Sequence, residues 1–371
     1  MDCTQTEWLS NEAYLRLFNR KVIENRIPLS GSLDLTRSCN LRCVHCYLGD
    51  AREAGKYHEK ELSTSEWLTL IDEITDAGCL YLLITGGEPL LRADFTKIYS
   101  HAKKNGLFVT VFTNGTMITD RVLDLFRDLP PQVVEISLYG ATASTCERIT
   151  GVKGSYEKCL QGIRRLLDHG INLELKTVLI TYNRHEFFDM KNMARDYGVK
   201  FRFDPAIFPR FNGDKTPMRL RVSTREAIEK EFSDDERLRK WREYFEKTRQ
   251  LPAGDELYNC GAGVTSFHID ARGGLQPCLM ITDLRYDLMG GSFLEGWNGV
   301  MPQIMDRKVE ASFACNRCEK RTLCGFCPAF FRLENGAEDC CSEYLCAVGQ
   351  GRFDKIKDVT SMEDGNANGT H

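Results

Sequence analysis

The sequence predicts an α/β protein: a partial (β/α)6 TIM-like barrel followed by a C-terminal cysteine-rich domain. Between residues 31 and 204, short β-branched or aliphatic runs alternate with amphipathic stretches. Each strand is followed by a helix, which implies right-handed parallel crossovers, and six such units fit a curved, incomplete barrel open on one side. Beyond residue 204 that alternation stops, and seven cysteines fall at ligand-like spacings between Cys260 and Cys346.

The strand candidates are Ser32–Leu35, Leu80–Ile84, Phe108–Phe112, Val133–Leu138, Leu173–Ile180 and Lys200–Phe203. Between the first two, Trp67, Leu70, Ile71 and Ile74 keep helical spacing, and Ser63 with Glu66 reads as a capping box that opens the helix. Further helices are expected near 94–105, 119–128, 155–169 and 186–196. Residues 1–30 form an N-terminal extension, 31–204 the barrel and 205–254 a bridge. The bridge begins as a proline-rich loop and continues as a charged helix from about Thr224 to Gln250, with Asp234, Asp235 and Glu236 on its solvated face. Leu251–Gly254 reads as a linker into the cysteine-rich domain at 255–350, and 351–371 as a disordered tail.

At 371 residues, 42% hydrophobic and 27% charged, the chain is long enough for two domains with a full core. A net charge of −4 gives no electrostatic footprint for nucleic acid. No run approaches a membrane span and the start lacks a signal-peptide pattern, so the expected compartment is the cytoplasm, with no membrane partner. Sixteen cysteines in a reducing compartment then need a reason other than disulfides. Cys79, Cys146 and Cys159 read as small core residues.

Cys39, Cys43 and Cys46 sit on one loop directly after the first strand, spaced C-x3-C-x2-C and followed by Tyr47. Three thiolates there hold three irons of a cubane cluster and leave the fourth iron open to bind a second molecule. The alternative is a zinc site, in which His45 would be the fourth ligand in awkward loop geometry. With its trailing aromatic, the loop resembles the signature of radical S-adenosylmethionine (SAM) enzymes. The resemblance implies a catalytic [4Fe–4S] cluster whose open iron chelates SAM, cleaves it reductively to a 5′-deoxyadenosyl radical, and draws electrons from a flavodoxin- or ferredoxin-type reductant.

Gly86, Gly87, Glu88 and Pro89 follow the second strand at the end where barrel active sites are built. They resemble the GGEP element that holds the methionine ammonium of the cofactor through its backbone and acidic group. Asn114, after the third strand, and Ser137, near the end of the fourth, resemble positions lining the ribose and the methionine carboxylate. Plain turn and strand-end chemistry is the alternative for both. Arg148 and Lys176 are cationic candidates for that carboxylate, with an exposed helix surface as the alternative for Arg148.

The second field runs Cys260, Gly273, Cys278, then Cys315, Cys318, Cys324 and Cys327, then Cys346. It resembles the SPASM-type domain, which carries two auxiliary [4Fe–4S] clusters, although Cys324 and Cys327 are separated by two residues where three are usual. By that resemblance Cys315, Cys318, Cys324 and Cys346 ligate the outer auxiliary cluster. Cys260, Cys278 and Cys327 give the inner one three ligands, the fourth coming from Cys340, Cys341, a carboxylate or the substrate. A zinc ribbon is the alternative, although five residues between the pairs are too few for the usual ribbon.

Enzymes joining these two domains mostly modify ribosomally made peptides. The expected function is therefore SAM cleavage coupled to oxidative modification of a peptide or protein: a thioether or carbon–carbon crosslink, or epimerisation. Leu279 follows Cys278 where formylglycine-forming relatives have an acidic base, which argues against that reaction. Only about 30 residues precede the first strand, so a leader peptide would need a separate leader-binding protein or a groove on the open side of the barrel, where Arg202, Arg210, Arg219 and Arg221 are candidates for acidic groups. Side-chain modification of a tetrapyrrole is the alternative, and a non-enzymatic iron–sulfur carrier the minor one. No catalytic acid or base is assigned; Asp204, Tyr139 and His268 are candidates by position only.

Overall fold

The computed structural model describes residues 10–49, 61–249, 255–310 and 313–367, without the side chains of 358–367. The expected linker at 251–254, the first nine residues and the last four lie outside that range.

All six expected strands form within two residues of their expected ends: β1 (Ser30–Asp34), β2 (Tyr81–Thr85), β3 (Phe108–Thr113), β4 (Val133–Ser137), β5 (Leu173–Val178) and β6 (Lys200–Asp204). They pair in parallel in sequence order. One set of alternate residues, including Leu82, Ile84, Val109, Val111, Val134 and Ile136, is fully buried against the helices. α1 (Asn11–Glu24) precedes the sheet. Its outer layer is α2 (Thr64–Asp76), α3 (Phe95–Lys104), α4 (Asp120–Asp128), α5 (Ala143–Thr150), α6 (Ser155–Asp168) and α7 (Phe187–Asp196). Ser63 and Glu66 form the expected capping box on α2, with a 2.6 Å bond from the Ser63 N–H to the Glu66 carboxylate. Trp67, Ile71 and Ile74 carry that helix into one continuous core with Phe95, Tyr99 and Phe126.

The cysteine-rich segment is not a detached body. Its first strand, β7 (Ser266–Ile269), pairs in parallel with the free edge of β1, Ser32 opposite His268. β8 (Gly274–Gln276) and β9 (Tyr286–Asp287) then continue the sheet antiparallel, giving the order β6-β5-β4-β3-β2-β1-β7-β8-β9. Phe267 and Ile269 enter the barrel core, where Phe267 packs edge-on to Phe293 of α10 (Phe293–Gly299). The boundary expected at residue 255 therefore cuts through one sheet and one core.

Two further expectations need correction. The single charged helix at 224–250 is two, α8 (Thr224–Glu231) and α9 (Asp235–Thr248), because Asp234 caps the second by accepting the Glu236 N–H at 3.0 Å. The acidic run is thus a helix start, where negative charge offsets the macrodipole. After α11 (Pro328–Asn335), the expected disordered tail from residue 351 is instead part of α12 (Glu343–Ala367), since Phe353 and Ile356, one turn apart, are buried with Phe245 and Leu323. α1 and α5 had no sequence expectation at all.

Candidate functional site

A cavity of about 830 Å³ lies over the carboxyl ends of the strands. The strand residues opposite in phase to the apolar set face it: Ser32 and Asp34 on β1, Thr85 on β2, Phe112 on β3, Ser137 on β4, Lys176 on β5, Arg202 and Asp204 on β6, and His268 on β7. The wall therefore comes from both ends of the chain. Asp270, Arg272, Gln276, Leu279 and Arg285 from the cysteine-rich segment also line it.

Cys39, Cys43 and Cys46 all line this cavity, on a loop tied down at several points. The Arg42 and Val44 N–H groups bond the carbonyls of Thr150 and Ile149 at the end of α5. On the other side, Gly87 N–H reaches Thr36 O at 2.7 Å and Glu88 N–H reaches Ser38 O at 2.8 Å. A Cβ on Gly87 would stand 2.2 Å from Ser38 O, and one on Gly86, at φ +130°, 2.4 Å from Thr36 O. The two glycines are thus required where the turn after β2 meets the cysteine loop. Burial pushes the Cys39 thiol up to about 11 and raises those of Cys43 and Cys46, each made worse by its neighbours' charge. Three buried thiols that repel one another as thiolates fit a cluster whose irons supply the missing positive charge. His45 is buried among them with Nδ1 unpartnered, and burial lowers it to about 4. Among the described residues, no three His, Cys, Asp or Glu side chains converge on a point that one metal ion would fill.

The other candidates divide. Asn114 and Ser137 are on the wall, and the Asn114 amide holds Asn40 Oδ1 at 2.8 Å and lies 4.0 Å from Cys39 Sγ. Lys176 is on the wall, 2.6 Å above the Phe112 ring and 3.7 Å from Glu135; burial drives its pKa well down. Glu88 and Pro89 are buried outside the wall. The Glu88 carboxylate accepts from Thr113 Oγ1 (2.8 Å), Asn114 N–H (2.7 Å) and Leu90 N–H (3.1 Å). Its side chain is therefore committed to holding the end of β3, against the expectation that it reaches the cofactor. Arg148 is also off the wall: α5 buries Thr145, Cys146, Ile149 and Thr150, which turns Arg148 outward onto the Tyr182 ring at 3.7 Å. Arg202, Arg210 and Arg221 pair with Glu135, Asp214 and Glu334. Tyr139, Asp204 and His268 do face the cavity.

In the second field, mutual charge effects sort the cysteines into two groups. Cys260, Cys278 and Cys327 act on one another, and Cys315, Cys318, Cys324, Cys341 and Cys346 form the other set. Cys327 lies at the start of α11 with Pro328 at the first helical position, so the short spacing after Cys324 is taken up by a helix start. Asp34 and Gln276, which sequence reasoning did not single out, share the cavity wall. The signal for Asp34 was a charge inside an apolar strand at an inward position.

Residues 33–195 match the Radical SAM superfamily. The chain carries a domain of that superfamily and is an enzyme, and the family brings a [4Fe–4S] cluster and SAM. The carrier alternative falls with that assignment. The chain is similar to the AdoMet-dependent heme synthase of Methanosarcina barkeri (26% identical over 328 residues, covering 80% of this chain and 90% of the relative). It is also similar to the antilisterial bacteriocin subtilosin biosynthesis protein AlbA of Bacillus subtilis (29% over 257 residues, 68% of this chain and 55% of AlbA). In fold it resembles Streptococcus suis SuiB bound to precursor peptide SuiA, with TM-score 0.68 and 16% identity over 93% of this chain and 83% of that one. Among the described residues no helix is long and apolar enough to cross a membrane.

Proposed function

We propose that the protein is a peptide- or protein-modifying radical SAM enzyme that forms a thioether or carbon–carbon crosslink, or epimerises a residue. Cys39, Cys43 and Cys46 hold the catalytic cluster, and Gly86, Gly87, Asn114 and Ser137 shape the SAM site beside it. When bound, the cluster supplies the electron that cleaves SAM. Cys260, Cys278 and Cys327 take an inner auxiliary cluster, and Cys315, Cys318, Cys324 and Cys346 an outer one.

The observation that carries the peptide reading is the free edge of β6. Among the described residues no strand pairs beyond it, while its Arg202, Phe203 and Asp204 line the cavity. An extended peptide can add to such an edge through its backbone and present one side chain to the cavity. AlbA and the peptide-bound SuiB support that direction. Mass spectrometry of reactions with synthetic peptides encoded beside the gene tests it. Loss of two hydrogens marks a crosslink, and unchanged mass with deuterium uptake marks epimerisation; no change with any of them counts against the reading.

A tetrapyrrole substrate is the second reading, favoured by the match across 90% of a heme synthase. It predicts a spectral shift when iron coproporphyrin is added to the loaded enzyme.

A further inference from the structure

Among the described residues three carboxylates line the cavity, and two of them are satisfied by their own surroundings. Asp270 accepts from the backbone N–H groups of Arg272 (2.8 Å) and Gly274 (2.9 Å) and pairs with Arg285 at 3.1 Å. Asp204 accepts from the Ala206 N–H at 2.8 Å. Asp34 alone among them carries a buried oxygen, Oδ1, with no donor among the described residues, although the residue is only 4% exposed. Its other oxygen lies 3.8 Å from His268 Nε2, beyond hydrogen-bond reach. His268 is itself fixed, because its Nδ1 is bonded to Ser32 Oγ at 2.8 Å across the β1–β7 rung.

A buried carboxylate oxygen with no partner is costly, and one that faces a cavity offers an unused acceptor to a ligand group. The position of Asp34 indicates what arrives. Asp34 is the last residue of β1, opposite Thr85, which leads directly into Gly86 and Gly87. The chain leaving β1 at Asp34 runs within five residues into Cys39, so Asp34 lies at the cysteine-loop end of the cavity rather than at the β6 mouth. Burial raises its own pKa, opposed by His268 and Arg37 and reinforced by Asp270.

The geometry points to Asp34 as a SAM-binding residue: its free Oδ1 is the counter-charge for a cationic group of the cofactor, the sulfonium or the ammonium. SAM is the cation that the family assignment already brings to this end of the cavity, so the inference does not depend on which substrate is modified. The acid comes from β1 itself, and His268, held by Ser32, faces it across the seam between barrel and cysteine-rich segment.

Titration calorimetry on the iron-loaded protein decides the matter, comparing wild type with Asp34→Asn. SAM is set against S-adenosylhomocysteine, which keeps the ammonium but lacks the sulfonium charge. Iron content and the electron-paramagnetic signal of the reduced clusters, recorded before any ligand is added, report that the variant is loaded. A charged contact of this kind, a hydrogen bond from the ammonium or a bare ion contact with the sulfonium, is worth about tenfold to a hundredfold in affinity. Loss for SAM alone assigns Asp34 to the sulfonium, and equal loss for both ligands assigns it to the ammonium. The second result also requires that 5′-methylthioadenosine, which lacks both cations, binds the two proteins alike. SAM affinity within twofold of wild type overturns the proposal. Should Asp34→Asn fail to load iron, Asp34→Ser repeats the comparison. If neither loads, Asp34 serves the loop rather than the cofactor, and the proposal is overturned.

Discussion

Arg221 and Glu334 join the bridging segment to α11, the helix that begins just after Cys327. The pair is bidentate at 2.9 Å and 2.9 Å, and each side chain is 10% exposed. Arg221 also donates to Ile207 O at 2.8 Å and covers the Tyr344 ring at 4.8 Å; Ser342 donates to Glu334 at 2.8 Å. Arg221→Met keeps the stem volume and removes the cation, leaving a buried carboxylate with one hydroxyl partner. Breaking a buried pair from one side costs about 3–5 kcal/mol, whereas replacing both partners by apolar groups is often neutral. Arg221→Met is thus expected to lower the unfolding midpoint of the apo protein by roughly 5–10 °C, and Arg221→Met/Glu334→Leu to restore most of that. The pH sign follows from Glu334. Its carboxyl suffers desolvation but is held below the usual range by Arg221 and Ser342, so its contribution is present above the ordinary glutamate pKa and is lost as pH falls through the lower folded value. The gap between wild type and Arg221→Met should therefore close in acid. A single variant within about 1 kcal/mol of wild type, or a double variant no better than the single, would refute this reasoning and free Arg221 for a substrate.

Burial pushes the Glu88 carboxyl up to about 7 against the pull of its three donors. A raised folded-state pKa gives stability that is complete below the unfolded value and is lost as pH rises through the folded one. Apo wild type should therefore lose on the order of 3 kcal/mol relative to Glu88→Gln between pH 5 and 8, read by urea unfolding; parallel pH profiles would contradict it. Gly87→Ala must push Ser38, and the cysteine loop with it, away from the turn after β2, so its iron content after reconstitution should fall while far-UV circular dichroism stays near wild type. If the auxiliary fields hold separate cubane clusters, Cys278→Ser and Cys324→Ser should each remove about four irons per chain, and the double variant about eight. Retention of full iron by either single variant would count against that assignment.

What the sequence made legible was local. The cysteine loop, the glycine pair and the six βα units are each written within a few dozen residues, in spacing and in alternation of side chains. The capping box at Ser63 is of the same kind. Misreadings arose where the meaning of a residue depends on which way it faces. Arg148 is cationic and close in sequence to the site, but helix phase turns it onto Tyr182. Glu88 belongs to the right motif, yet its carboxylate is used up on the backbone of β3's end. Residues 351–367 read as polar in sequence, yet Phe353 and Ile356, a turn apart and buried with Phe245 and Leu323, dock the helix.

The pairing of β1 with β7 is the feature that local reading had no means to find. Ser32 and His268 are 236 positions apart, and nothing in either strand names its partner. The consequence reaches the chemistry. β7 closes onto the edge of β1 that a barrel alone would leave free, so the opening moves to β6, at the opposite end of the sheet. It also places His268, Asp270 and Gln276 on the cavity wall beside Asp34 and the cysteine loop. The cysteine-rich segment therefore builds part of the chamber in which SAM is proposed to react. Changes in β7 should then alter SAM binding as well as the auxiliary clusters, a coupling that two independent domains would not show.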